Sequence, residues 1–162
     1  MAGTDAKGKA NPRKANRRAN NPGIARCTVI VLDASVVVEL LTKGALADSI
    51  TRDLAERNDS LIVPHLIDIE VMSAICKLVA GRRIDSHRSE QFLEELEMLP
   101  AERYAHTACL GRIWELRHNF TAYDAVYIAL AEATNAILYT IDEKLCKGHR
   151  AQVVCVTNRS LI

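Results

Sequence analysis

Aspartates stand at three places in this chain where an α/β fold could turn a side chain to chemistry. Asp33 closes the apolar run Val29-Ile30-Val31-Leu32, Asp142 closes Leu138-Tyr139-Thr140-Ile141, and Asp124 opens the apolar segment Ala125–Ala131. A fourth acid lies between Leu66 and Val71, where helical spacing leaves both Asp68 and Glu70 open. Each has an ordinary structural use. An aspartate after a strand commonly caps the next helix, and Asp142-Glu143-Lys144 can simply begin a turn. Thr121-x-x-Asp124 fits a capping box, and a helix N-terminus favours the charge by ~0.3–1 kcal/mol. Convergence would change the reading. Carboxylates ~5 Å apart repel by ~3 kcal/mol per pair at an effective dielectric near ~20. Three or four of them must protonate, splay apart or hold a divalent cation. No arginine adjoins Asp33, Asp124 or Asp142 in the chain. Oxygen-only donors suit Mg²⁺ or Mn²⁺, not zinc. The five histidines, His65, His87, His106, His118 and His149, show no HxxxH or HxH spacing. There is no P-loop, GxGxxG, GxSxG or Cys/His nucleophile pattern. What remains is acid-rich, metal-assisted chemistry, such as attack on a phosphodiester, where an ion activates water and neutralises developing charge.

The acids must be positioned by strands and helices in alternation. Cys27–Leu32 has the near-continuous hydrophobicity of a strand buried on both faces. Helices are predicted over 34–41 and 45–57, a strand over 61–63 stopped by Pro64, and a helix over 65–80 closed by Gly81. Further helices are expected over 86–99, ended by Pro100, then over 106–116 and 121–134. Strands over 136–141 and 152–156 complete the pattern. Such alternation implies βαβ units and a mainly parallel sheet covered on both faces. Ligands of these sheets collect beyond the carboxyl ends of the strands. The helix after Asp124 reads as apolar nearly all round, hence buried.

Composition narrows the class further. A length of 162 residues suits one domain, and 49% apolar residues can supply a core that, at 4% aromatic, must be mostly aliphatic. No apolar run approaches the ~18 residues of a membrane span, and no secretory h-region opens the chain. Five scattered cysteines, odd in number and without a CxxC pair, predict reduced thiols in a cytoplasmic protein, not a disulfide framework. The net charge of +1 hides an asymmetry: residues 1–26 carry seven basic side chains against Asp5 alone, leaving a net −5 on the remainder. Residues 1–26 are therefore expected to be a basic, disordered extension and 27–162 the folded domain.

The ordered segments resemble a known family. VIVLDASVVVELL, the stretch from Pro64 to Val71, Trp114-Glu-Leu-Arg117, TAYDAVYIALAE and ILYTIDEKL occur in the order and spacing of a PIN-domain protein of the VapC type, over residues 28–156. The resemblance implies a three-layer α/β/α fold and Mg²⁺-dependent cleavage of RNA phosphodiesters. It also implies frequent homodimers and neutralisation by a cognate VapB-like antitoxin. Position by position, it places the family's acids at Asp33, Glu70, Asp124 and Asp142, favouring Glu70 over Asp68. Ser35 and Thr140 match its accompanying hydroxyls, and Asp33 and Asp124 its direct metal ligands. Arg112 and Arg117 flank the site segment and could contact substrate phosphate. Tyr123 and Tyr127 could stack on a base but read more simply as core. Two alternatives stand beside a nuclease. One is an aspartate-nucleophile phosphohydrolase, which would want a second Asp where Ser35 stands. The other is a non-catalytic PIN-like module for RNA or protein contact.

Overall fold

The computed structural model describes residues 28–157, and its strands form where the apolar runs were read. β1 (Val29–Leu32), β2 (Ser60–Pro64), β4 (Ile137–Thr140) and β5 (Gln152–Cys155) match four expected strands to within two residues at each end. A fifth, β3 (Glu102–Tyr104), lies where no element was expected. Its residues are polar and it sits at the sheet edge, so the hydrophobic pattern that marks a buried strand is absent. Pairing with β2, from Ile62↔Glu102 to Pro64↔Tyr104, is what makes it a strand. Pro64 ends β2 from inside it, at the strand's last residue, where a missing N–H is tolerated.

All strand pairs are parallel, in the order β3-β2-β1-β4-β5. The helices are α1 (Ala34–Leu41), α2 (Ala47–Arg57), α3 (Leu66–Ala80), α4 (Ser86–Glu97), α5 (Leu110–Leu116) and α6 (Ala122–Thr134). The helix expected from His106 starts instead as a 3-10 turn, His106–Cys109, that runs into α5. Together they make the α/β/α arrangement expected, with a wholly parallel sheet. α6 crosses β1, β2 and β4, and its residues Ala125–Ala131 are all buried. Val36, Val37 and Leu41 of α1 join the same core, which is aliphatic apart from Tyr127, Tyr139 and Phe92. Among the described residues, no helix is long and apolar enough to cross a membrane.

The cysteine reading needs correction. Cys146 and Cys155 form a disulfide that ties the 3-10 turn Glu143–Cys146 to β5. Only nine positions separate them, and no CxxC motif announces the pair, so their proximity is a product of the tertiary fold. Cys76 is an exposed thiol and Cys109 a buried one. Cys27 lies outside the described residues, as do the basic extension and its expected disorder.

Candidate active site

The sheet has one place where strand order reverses, between neighbours β1 and β4. From there the chain winds outward to β2 and β3 on one side and to β5 on the other. Helices leaving in opposite directions open a crevice beyond the carboxyl ends of those two strands. Asp33 follows β1 at this point. Its backbone N–H donates to Tyr139 O at 3.1 Å, which sets it beside Thr140 at the end of β4.

Tyrosines apart, Asp33 and Thr140 are the only buried polar or charged residues among the described ones, 6% and 0% exposed. They are bonded to each other: Thr140 Oγ1 donates to Asp33 Oδ2 at 2.9 Å. The Ser35 hydroxyl donates to the same carboxylate oxygen, and the Ser35 N–H makes a long 3.4 Å contact there as α1 is capped. The capping reading of Asp33 is therefore true, but it does not explain the burial. A surface cap would serve the helix as well. Desolvation pushes the Asp33 carboxyl above its ordinary pKa, and the bonds from Ser35 and Thr140 offset this in part.

Glu70 lies within electrostatic range of both Asp33 and Asp124. Burial raises the Glu70 carboxyl, and the negative charges of Asp33 and Asp124 raise it further. The buried Tyr127 hydroxyl donates to Glu70 Oε2 and opposes the shift. That bond makes Tyr127 both a core residue and an anchor for Glu70, which spacing alone could not reveal. Asp68 goes elsewhere: Arg103 on β3 grips both its oxygens at 2.9–3.1 Å. Of the two α3 acids, Asp68 is thus committed to an ion pair and Glu70 is not. Asp124 opens α6 with its N–H donating to Thr121 Oγ1 at 3.1 Å, so half of the expected capping box forms. The Asp124 carboxylate itself bonds to nothing among the described residues.

Asp142 belongs to the same strand end but a different local structure. Its N–H donates to Thr140 Oγ1 at 3.0 Å, so one threonine hydroxyl links it to Asp33. Its own carboxylate accepts from the Lys144 N–H at 2.9 Å and caps the 3-10 turn. The turn reading of this acid therefore holds. No arginine or lysine pairs with Asp33, Glu70, Asp124 or Asp142 among the described residues. Nor do any three Asp, Glu, His or Cys side chains there stand at metal-ligating spacing. Glu70 feels the charges of both Asp33 and Asp124, and the four acids do not close on a common point.

The two arginines part company. Arg112 binds Glu132 through two nitrogens at 2.7 and 3.1 Å and Glu115 at 2.8 Å. Glu132 lies two turns beyond Asp124 on α6, about 12 Å along the axis, so Arg112 locks α5 to α6 away from the acids. The phosphate contact expected of it is not supported. Arg117 lies over the Trp114 ring, 4.6 Å from its centre, and donates to Trp114 O at 2.7 Å. It begins the segment that leads to Asp124, without contacting any site acid. Tyr123 also departs from expectation: it is not core but 60% exposed, while Tyr127 is buried.

A parallel α/β sheet with acids at its switch point and an acid at the head of a buried helix defines a class before any comparison is made. Residues 30–149 match the PIN domain family model. A VapC ribonuclease of Mycobacterium bovis is 40% identical over 124 residues, 76% of this chain and 94% of the relative. Ribonuclease VapC1 of Mycobacterium tuberculosis is 37% identical over 116 residues, 71% of this chain and 86% of the relative. The chain belongs to the PIN-domain family, and within it to the VapC type. Among solved structures, the VapBC2 complex of Rickettsia felis bound to promoter DNA aligns with a TM-score of 0.61 at 18% identity. That match covers 80% of this chain and 99% of the other. VapC20 of Mycobacterium tuberculosis, described as a sarcin–ricin loop cleaving toxin, aligns at 0.57 and 18% identity, over 72% and 92%. These two structures establish the shared fold.

Proposed function

We propose that this chain is a Mg²⁺-dependent endoribonuclease toxin that hydrolyses RNA phosphodiesters, with Mn²⁺ as an alternative ion. In this reading a cognate VapB-like antitoxin neutralises it, it works as a homodimer, and it acts in the cytoplasm. The observation that carries the reading is the burial of Asp33 against Thr140, with Glu70 feeling the charges of both Asp33 and Asp124 and no arginine or lysine paired with these acids among the described residues. A folded protein tolerates that arrangement most readily when a positive ion supplies the missing charge. The donor chemistry fits, since every candidate atom is oxygen. Asp33 and Asp124 would hold the ion, with Glu70 and Asp142 completing the set. When bound, it would activate water and neutralise the charge that develops on the phosphodiester.

The chain's own residues have separable tasks. Thr140 and Ser35 hold Asp33 Oδ2 by hydrogen bonds, so that carboxylate is oriented before substrate arrives. Tyr127 fixes Glu70 from beneath. The Asp124 carboxylate has no hydrogen-bond partner among the described residues and can turn toward ion or water. Hydroxyl bonds to Asp33 Oδ2 and the serine two positions on do not favour a phosphoryl-aspartate route.

Partner-free protein should cleave single-stranded RNA with Mg²⁺ and stop on chelation. Asp33→Asn and Asp124→Asn should each lower the rate by about a hundredfold or more, as ligand-shell losses do, with the circular dichroism spectrum unchanged. Undiminished cleavage by both variants would overturn the assignment. So would full activity of the wild type in excess chelator.

A further inference from the structure

Beside Glu70 a groove of about 450 Å³ runs along α3, lined by Ile69, Glu70, Ser73, Ala74, Lys77 and Tyr123. One end of this groove is the acid site itself, through Glu70. The other holds Lys77, an exposed cation with no ion pair among the described residues, two helical turns further on. That is about 10 Å along the axis. Tyr123 forms the opposite wall from the first turn of α6, next to Asp124. An aromatic ring 60% exposed at a groove that also holds Glu70 and Lys77 is unusual for a residue whose neighbours Ala125–Ala131 are all buried.

We propose that this groove seats the single-stranded RNA next to the scissile bond, with Tyr123 as a stacking platform for one base and Lys77 as the contact to a neighbouring phosphate. The proposal rests on the ribonuclease reading and adds to it the two residues that set substrate register. An aromatic face accepts any unstacked base, whereas a duplex keeps its bases stacked and out of reach. Glu70 lines this groove and feels the charges of Asp33 and Asp124, so a polyanion needs a fixed cation beyond them, and Lys77 is the cation the groove provides. Ser73, on the same wall, adds a hydroxyl within the groove. A second copy of the chain is the competing occupant for exposed Ile69 and Tyr123. The unpaired Lys77 within the groove, and the groove's continuity with the acid site through Glu70, favour a nucleic acid.

The test uses the full chain. Binding of a single-stranded oligonucleotide with an uncleavable backbone should weaken roughly tenfold in Tyr123→Ala and recover in Tyr123→Phe or Tyr123→Trp, because the ring and not the hydroxyl is used. Lys77→Gln should weaken binding and flatten the slope of log Kd against log salt by about 0.7, one phosphate's worth for a single strand. In cleavage assays both variants should raise KM more than they lower kcat, and an abasic nucleotide at the stacking position should erase the difference between Tyr123→Ala and wild type. Wild-type affinity in both variants, with wild-type cleavage intact, defeats this proposal and leaves the nuclease reading standing. A wild type that cleaves no RNA defeats both. If Tyr123→Ala instead changes the mass seen by light scattering and Kd stays fixed, the groove belongs to a second copy and the proposal fails.

Discussion

Asp33 concentrates the cost of this site in one side chain. A carboxylate kept from water, with only hydroxyl and N–H donors beside it, sits above its ordinary pKa because burial outweighs those bonds. Nothing in the core requires a charge there. Asp33→Asn keeps an oxygen for Ser35 and Thr140 while removing the buried charge, so in metal-free buffer at neutral pH it should melt a few degrees higher than wild type. The same variant should have lost catalysis, a trade of activity for stability typical of strained sites. A lower melting temperature in that buffer, measured by calorimetry, would mean that the carboxylate is stabilising and that the electrostatic account of the site is wrong. Tyr127 teaches a related point. Its hydroxyl reaches Glu70 from a position that periodicity marks only as core.

At the level of elements, α5 and α6 are joined by the Arg112 guanidinium. Glu132 is only 11% exposed and receives Arg112 at 2.7 Å together with the Arg150 N–H at 2.9 Å. Arg112 holds the Glu132 carboxyl below the usual carboxylate range. Arg112→Met should therefore cost about 1–2 kcal/mol in denaturant unfolding at pH 7, after allowance for partial exposure. The sign with pH follows from the depressed pKa: the contribution is present above the unfolded value near ~4.3 and is lost as pH falls through the lower folded value. The gap between wild type and Arg112→Met should accordingly close below about pH 4. RNA cleavage by the variant, assayed well below its melting temperature, should match wild type. A large loss of kcat with unchanged stability would return Arg112 to the substrate.

Taken whole, the molecule draws its acids from distant parts of the chain: the end of β1, α3, the start of α6 and the end of β4. An ion held among them would tie these segments together in the native state only. Mg²⁺ or Mn²⁺ should thus raise the stability of wild type, by about 2.7 kcal/mol at a hundred times Kd, and should raise that of Asp33→Asn or Asp124→Asn far less. This is read by thermal denaturation and needs no substrate. A melting temperature indifferent to both ions at millimolar concentration would leave the acids without their expected partner. Residues 27–162 carry a net −5 against +6 on residues 1–26, so local cations, fixed or bound, decide where a polyanion can settle.

Much of this was written locally. Val29–Leu32 and Ile137–Thr140 are apolar enough to be central strands, and an aspartate stands just after each, so the crevice was readable before any coordinates. The buried character of α6 was equally plain from its composition. Contacts between segments far apart in sequence were not. β3 is a strand only because β2 lies beside it. Arg112 and Arg117 look alike in the chain, yet one is committed to Glu132, twenty positions on, and the other is not. Tyr123 and Tyr127, one helical turn apart, end on opposite sides of the line between solvent and core. Cys146 and Cys155 became a disulfide through the approach of β5 to the turn after β4. Hydrophobic pattern and strand-end chemistry are properties of short segments, so the amino-acid order determined them by itself. Which charge meets which, and which ring stays wet, depends on packing across the sheet, and only the tertiary structure decided it.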